Sequence, residues 1–221
     1  MINPDRIIRS ARKTLSVSID AFGKLTVRAP KRMSDEKIFA FLKEKEAWIT
    51  ERKRRRDGLE NLLPKENLDG YTFLLLGEEH HISLSGGRKV LYDKDNKVIS
   101  VPKDNAQNRI TAWLKRKAKD VFSERTKLYA EKMNANVSRI GVSSAKKRWG
   151  SCLYKKAVIN YTYRLIYAPI FAVDYVVVHE LCHLKEHNHG KGFWTYVAEN
   201  YPNYSHAVKW LKEHAYLLYI F

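Results

Sequence analysis

The chain has 221 residues and a formal net charge of +17, from 41 lysines and arginines against 24 aspartates and glutamates. Hydrophobic residues make up 44% and aromatics 12%, which excludes a disordered or low-complexity chain. No apolar run approaches the roughly 18 to 20 residues of a membrane-spanning helix.

In chain order, residues 14–30, TLSVSIDAFGKLTVRAP, predict a β-hairpin. Leu15, Val17 and Ile19 alternate, residues 21–24 turn, and Leu25 and Val27 alternate back. Ser34 is placed to cap a helix with Asp35 and Glu36 in its first turn. Ile38, Phe41, Leu42, Lys45, Trp48 and Ile49 follow at helical spacing until Asp57-Gly58. The basic run at residues 52–56 suits that helix end. Four strand-like runs follow between residues 71 and 102, where the adjacent His80 and His81 face opposite ways as ordinary strand residues. A long amphipathic helix carries Ile110, Leu114, Ala118, Val121, Phe122, Leu128 and Met133 on one face. Residues 138–167 return to strands, Pro169 opens the next helix, and two more helices cover roughly 192–200 and 204–218. The fold class is α+β: a hairpin and helix at residues 1–63 and a second portion at 64–221, expected to form one compact unit.

The chemistry is concentrated in VVVHELCHLKEHNHG at residues 176–190, which holds four of the eight histidines. His179-Glu180-Leu181-Cys182-His183 is an HExxH pattern. Residues four apart lie one helical turn above each other, so both imidazoles reach one ion. Glu180 reaches a water at that ion without being a ligand. Val177, Leu181 and Leu184 form an apolar stripe, so the helix does not depend on the motif. Two residues compete as third ligand. His187 continues the helical row about 12 Å beyond His179, too far to share an ion held at about 2 Å. The helix must therefore stop, and Asn188 and Gly190, types that tolerate the left-handed backbone of helix ends, flank His189.

The favoured set is one zinc ion on His179, His183 and His189, with Glu180 catalytic and His187 beside the substrate or simply exposed. This spacing is that of the metzincin zinc proteases. Their glycine is Glu186 here, however, and Met1, Met33 and Met133 all precede the motif. Glu199 offers a gluzincin-type acid ligand instead. Cys182 reads as a small buried residue, because a hydrolytic zinc needs an open position. Without a metal, the histidines would be a polar helix end whose protonated rings complement the helix dipole.

RWGSC at residues 148–152, AVINYTYRLIYAP at 157–169, DYVVVHELCHL at 174–184 and NHGKGFW at 188–194 resemble the YgjP-like metallopeptidase family, relatives of the SprT and WLM metalloproteases. The N-terminal hairpin and helix resemble that family's opening, so the resemblance spans nearly the whole chain. It implies a zincin-like fold, His179, His183 and His189 as metal ligands, and Glu180 as the catalytic glutamate. It leaves the substrate open, since members are described as peptidases or metal-dependent hydrolases and nucleotide pyrophosphate hydrolysis is also assigned among them. The strand at residues 157–165 is expected to pair with an extended substrate. Asn160 and Arg148 are expected near a developing oxyanion, against a reading of Trp149, Gly150 and Cys152 as a tight structural turn under the helix.

The expected activity is hydrolysis of a peptide bond by a zinc-bound water whose proton Glu180 accepts and passes to the leaving group. The same parts serve phosphorus, so a nucleoside triphosphate (UTP-type) pyrophosphatase is the alternative, though no Gly-rich phosphate loop is present. A non-catalytic nucleic-acid-binding module with a closed structural zinc is the third reading. The positive charge favours polyanionic partners, nucleic acid included, and equally fits solvated helix faces. Cys152 and Cys182 set up no disulfide framework. With no apolar secretion segment in MINPDRIIRSARK, a cytoplasmic protein without membrane contact is expected.

Overall fold

Alternating apolar residues near the N-terminus build the first sheet. The computed structural model describes residues 2–20, 23–54 and 67–221, and the chain divides into two units, Met1–Leu63 and Pro64–Phe221. In the first unit, strands β1 (Arg6–Ser10), β2 (Ser16–Ile19) and β3 (Leu25–Pro30) lie in the order β1-β3-β2. The antiparallel β2–β3 pair is the expected hairpin. The parallel partner β1 has no alternating pattern to reveal it. Leu25, Val27 and Ala29 point inward from β3 and pack with Ile38, Leu42 and Ile49. Those last three come from helices α1 (Asp35–Glu44) and α2 (Glu46–Arg54). The single helix expected here is thus broken at Lys45, whose N–H still bonds to the Phe41 carbonyl at 3.1 Å. Ser34 holds the capping position without a side-chain cap bond. The expected stop at Asp57-Gly58 and the turn residues Ala21 and Phe22 lie outside the described residues.

The second unit is α+β as well. Strands β4 (Thr72–Leu75), β5 (Glu78–Ser85), β6 (Leu91–Asp93) and β7 (Val98–Pro102) form a four-stranded sheet in the order β4-β5-β7-β6. His80 is buried there and paired with the Tyr92 hydroxyl at 3.1 Å, while His81 on the other face is exposed. Helix α3 (Ala106–Lys132) follows, burying Ile110, Leu114, Ala118 and Phe122 at helical spacing. Next come β8 (Arg139–Ser143), β9 (Gly150–Leu153) and β10 (Val158–Thr162), in the order β8-β10-β9. Helices α4 (Ile170–Cys182), α5 (Lys191–Asn200) and α6 (Tyr204–Glu213) complete the unit. Among the described residues no helix is long and apolar enough to cross a membrane.

Helix α4 is apolar almost all round, and its residues from Ala172 to Val178 are buried, the pattern of a helix enclosed by its neighbours. Its one acidic residue before Glu180 is Asp174, matched by α3. The Arg125 guanidinium donates to both Asp174 oxygens at 2.6 Å, and the Tyr129 hydroxyl donates to Oδ2 at 3.1 Å. A carboxylate this deep is tolerated because both its oxygens are hydrogen-bonded, one of them twice. At the other end, the turn between β4 and β5 fixes where α4 starts. Leu76 and Gly77 both have positive φ, 53° and 83°, the primed turn that suits a two-residue hairpin. Their N–H groups donate to the carbonyls of Ile166 (2.7 Å) and Tyr167 (3.2 Å), just before α4.

A Cβ on Gly77 would lie 2.6 Å from Pro169 Cβ and 2.8 Å from its Cα. Gly77→Ala is therefore expected to destabilise the protein by about 2 kcal/mol or more. Gly86→Ala, where an added Cβ meets nothing within 4 Å, should stay within about 0.5 kcal/mol of the parent. Urea unfolding midpoints of the two variants check this.

Candidate metal centre

His179 and Glu180 lie on the last turn of α4, and His183 is its C-terminal cap. The helix ends sooner than its histidine row. The N–H groups of Leu184, Lys185 and Glu186 fold back onto the carbonyls of Leu181 and Cys182 at 2.8–3.1 Å. The reversal uses no left-handed residue: neither Asn188 nor Gly190 has positive φ, and Gly190 is the extended cap of α5. The expected left-handed stop is thus replaced by a tightened last turn. The reversal brings His189 back over the helix end. Ring nitrogens of His179, His183 and His189 lie within 4.8 Å of one another, and Nε2 of His189 is 3.1 Å from Nε2 of His179.

Two nitrogens on one tetrahedral zinc at its usual bond lengths are about 3.3 Å apart, so the His179–His189 pair already stands at that spacing and His183 lies close enough to join it. His187 is not in this cluster. Its ring stacks on Tyr154 with centroids 3.7 Å apart, and its Nδ1 bonds to the His183 carbonyl at 3.2 Å. Glu199 also stands apart, lining a surface groove with Lys185, Lys191 and Tyr196. Neither cysteine joins the three histidines: Cys182 is fully buried, and burial raises its thiol to about 12.

The surroundings of His179 and His183 disfavour their protonated forms. Burial, reinforced by His183 and His189, pushes His179 down to about 3. Burial also lowers His183, against the raising effect of its bond to the Glu186 carbonyl. Neutral rings are the form that binds a metal. The other ring nitrogens are engaged: Nδ1 of His179 lies 3.3 Å from the Tyr175 hydroxyl, and Nδ1 of His183 lies 3.1 Å from the Glu186 carbonyl. Phe193, fully buried at the start of α5, has its ring centroid 4.6–4.9 Å from all three imidazoles. Neither Tyr175 nor Phe193 belongs to the histidine motif. The signal for Tyr175 was its place one helical turn before His179.

Glu180 is 5% exposed and turned toward β9. A Cβ on Gly150 would sit 2.5 Å from Glu180 Oε1, so only glycine leaves room for the carboxylate there. Burial raises Glu180 to about 8, and the charge of Arg148 opposes the rise. Gly150 begins a strand rather than a tight turn. Two other expectations are corrected. The strand at residues 158–162 is the centre of its sheet, bonded on both sides, so it has no edge for a substrate; the edge beside Glu180 belongs to β9. Asn160 pairs in register with Ser151 and Gly141, one residue out of phase with Gly150. It therefore lies on the opposite sheet face from Glu180, away from an oxyanion at this site.

A helix carrying His-Glu-x-x-His with a third histidine folded onto it is the arrangement of a metal-dependent hydrolase. The model of the YgjP-like metallopeptidase domain matches residues 13–214, and the chain belongs to that family. Membership implies a divalent metal and a metal-dependent hydrolase. No curated protein matches the chain.

Tyr175→Phe removes the hydroxyl beside His179 and keeps the ring. It is expected to weaken zinc binding about 10- to 100-fold, measured by competition with a chromophoric chelator. An unchanged affinity would make Tyr175 a packing residue only.

Proposed function

We propose that this protein is a zinc-dependent peptidase, with one ion on His179, His183 and His189 and Glu180 as general acid–base. The observation that carries the reading is the convergence of three imidazoles at a helix end next to a buried carboxylate and an open strand edge. When bound, zinc in such a site supplies Lewis-acid polarisation and an acidified water.

The chain's own groups do the rest. Burial keeps the rings of His179 and His183 unprotonated. Tyr175 and the Glu186 carbonyl orient those two rings through Nδ1, leaving Nε2 for the ion. Glu180 takes the proton of the attacking water and returns it to the leaving amine. Gly150 leaves the space in which that carboxylate sits. An extended polypeptide adds to the free edge of β9 as a further strand, and its backbone then passes Gly150 and Glu180. Substrates of this kind are unfolded or extended segments rather than folded surfaces. A structural zinc would need a fourth protein ligand, and among the described residues the cluster has three.

Zinc-loaded protein given an unfolded polypeptide together with nucleoside triphosphates is expected to cut the polypeptide. Glu180→Gln should slow that cutting about 100- to 10,000-fold at unchanged zinc content, read by mass spectrometry and metal analysis. Glu180-dependent release of monophosphate and pyrophosphate, with the polypeptide intact, would overturn the peptidase reading. The ligand set has its own check: His189→Ala should lose stoichiometric zinc and His187→Ala should retain it. The reverse pattern contradicts the assignment.

A further inference from the structure

Behind Gly150 lies a cavity of about 190 Å³, lined by Ser143, Arg148, Gly150, Ser151, Asn160 and Thr162. Strand register puts Ser143, Ser151, Asn160 and Thr162 on one sheet face. The opposite face carries Tyr161, packed on Phe122 of α3, and Gly150, packed on Glu180. Gly150 belongs to both places: its backbone lines the cavity, and the position of its missing Cβ borders the Glu180 carboxylate.

The lining is cationic and under-used. No carboxylate contributes to it, and Arg148 is its one ionisable side chain. Among the described residues neither Arg148, the Asn160 amide nor the Ser151 hydroxyl has a hydrogen bond or close ion pair, although the Arg148 charge reaches Glu180. Thr162 and Ser143, by contrast, spend their hydroxyl protons on the carbonyls of Ala145 and Tyr161. Three donor groups thus line one space with no acceptor bonded to them among the described residues. The cavity is smaller than the roughly 300–1,000 Å³ that holds a whole small molecule, so it suits one side group of a larger ligand.

We propose that this cavity is a subsite for the carboxylate of an aspartate or glutamate next to the scissile bond of a polypeptide substrate. The inference rests on the peptidase reading above. A strand added to the edge of β9 alternates its side chains between the two sheet faces. Those on the Glu180 side meet the metal centre, and the next residue in either direction turns its side chain over Ser151 and the cavity. There the Arg148 fork matches a carboxylate, with Ser151 and Asn160 donating beside it. One cation and two neutral donors match a single negative charge; the several charges of a triphosphate would go largely unmatched. The net charge of +17 draws acidic segments to the protein in the same sense.

The test uses the zinc-loaded full chain carrying Glu180→Gln, and dye-labelled neutral peptides in which one glutamate is walked along the sequence. Each has a glutamine counterpart, and binding is read by fluorescence anisotropy. At one register the glutamate peptide should bind about 10- to 100-fold more tightly than its glutamine twin, and adding Arg148→Met should remove that difference. Equal binding of the twins at every register overturns the subsite, as does a preference that survives Arg148→Met. Arg148-dependent displacement by nucleoside triphosphate with no glutamate preference also overturns it, in favour of phosphate. Wild-type cleavage is scored separately. A glutamate preference without any cutting supports the subsite and sinks the peptidase reading, whereas cutting without the preference sinks the subsite alone.

Discussion

Three imidazoles can share one ion only if their nitrogens meet within a few ångströms, and a straight helix presents at most two of them on successive turns. That constraint governs the second unit. α4 supplies His179 and His183, then ends at Cys182, and the chain reverses so that His189 arrives from the segment before α5. The reversal is held by backbone bonds to Leu181 and Cys182 and backed by Phe193, which touches all three rings. Much else serves to hold α4 still: the Arg125–Asp174 pair on one flank, and the β4–β5 turn against the start of the helix.

Burial is what makes the cluster chemically useful. The same desolvation that keeps His179 and His183 neutral makes Glu180 a stronger base than an exposed glutamate. Gly150 and Arg148 then set its surroundings, one by leaving room and the other by supplying an opposing charge. Arg148 just precedes β9 and Gly150 opens it, so the strand edge proposed for substrate and the surroundings of the carboxylate proposed for catalysis share the same few residues.

Local pattern made much of this readable. Period-two alternation located β2 and β3, helical spacing located α3, and the rise per residue separated His189 from His187. What the sequence hid was non-local or subtle. The order β8-β10-β9 cannot be read from chain order, so the central strand looked like the substrate's partner. The Gly150–Glu180 contact joins residues that no periodicity links. β1 carries arginines where alternation would need apolar residues, and only pairing with β3 makes it a strand. The helix stop was sought in Asn188 and Gly190, but hydrogen bonds closer to Cys182 end α4 first.

The central claim is that one zinc ion sits on three histidine nitrogens with a position left open. Zinc K-edge X-ray absorption on the loaded, full-length protein tests it most directly. The account predicts three imidazole nitrogens at about 2.0 Å and one further light atom, with no sulfur. A sulfur neighbour at about 2.3 Å, or fewer than three imidazoles, would contradict it.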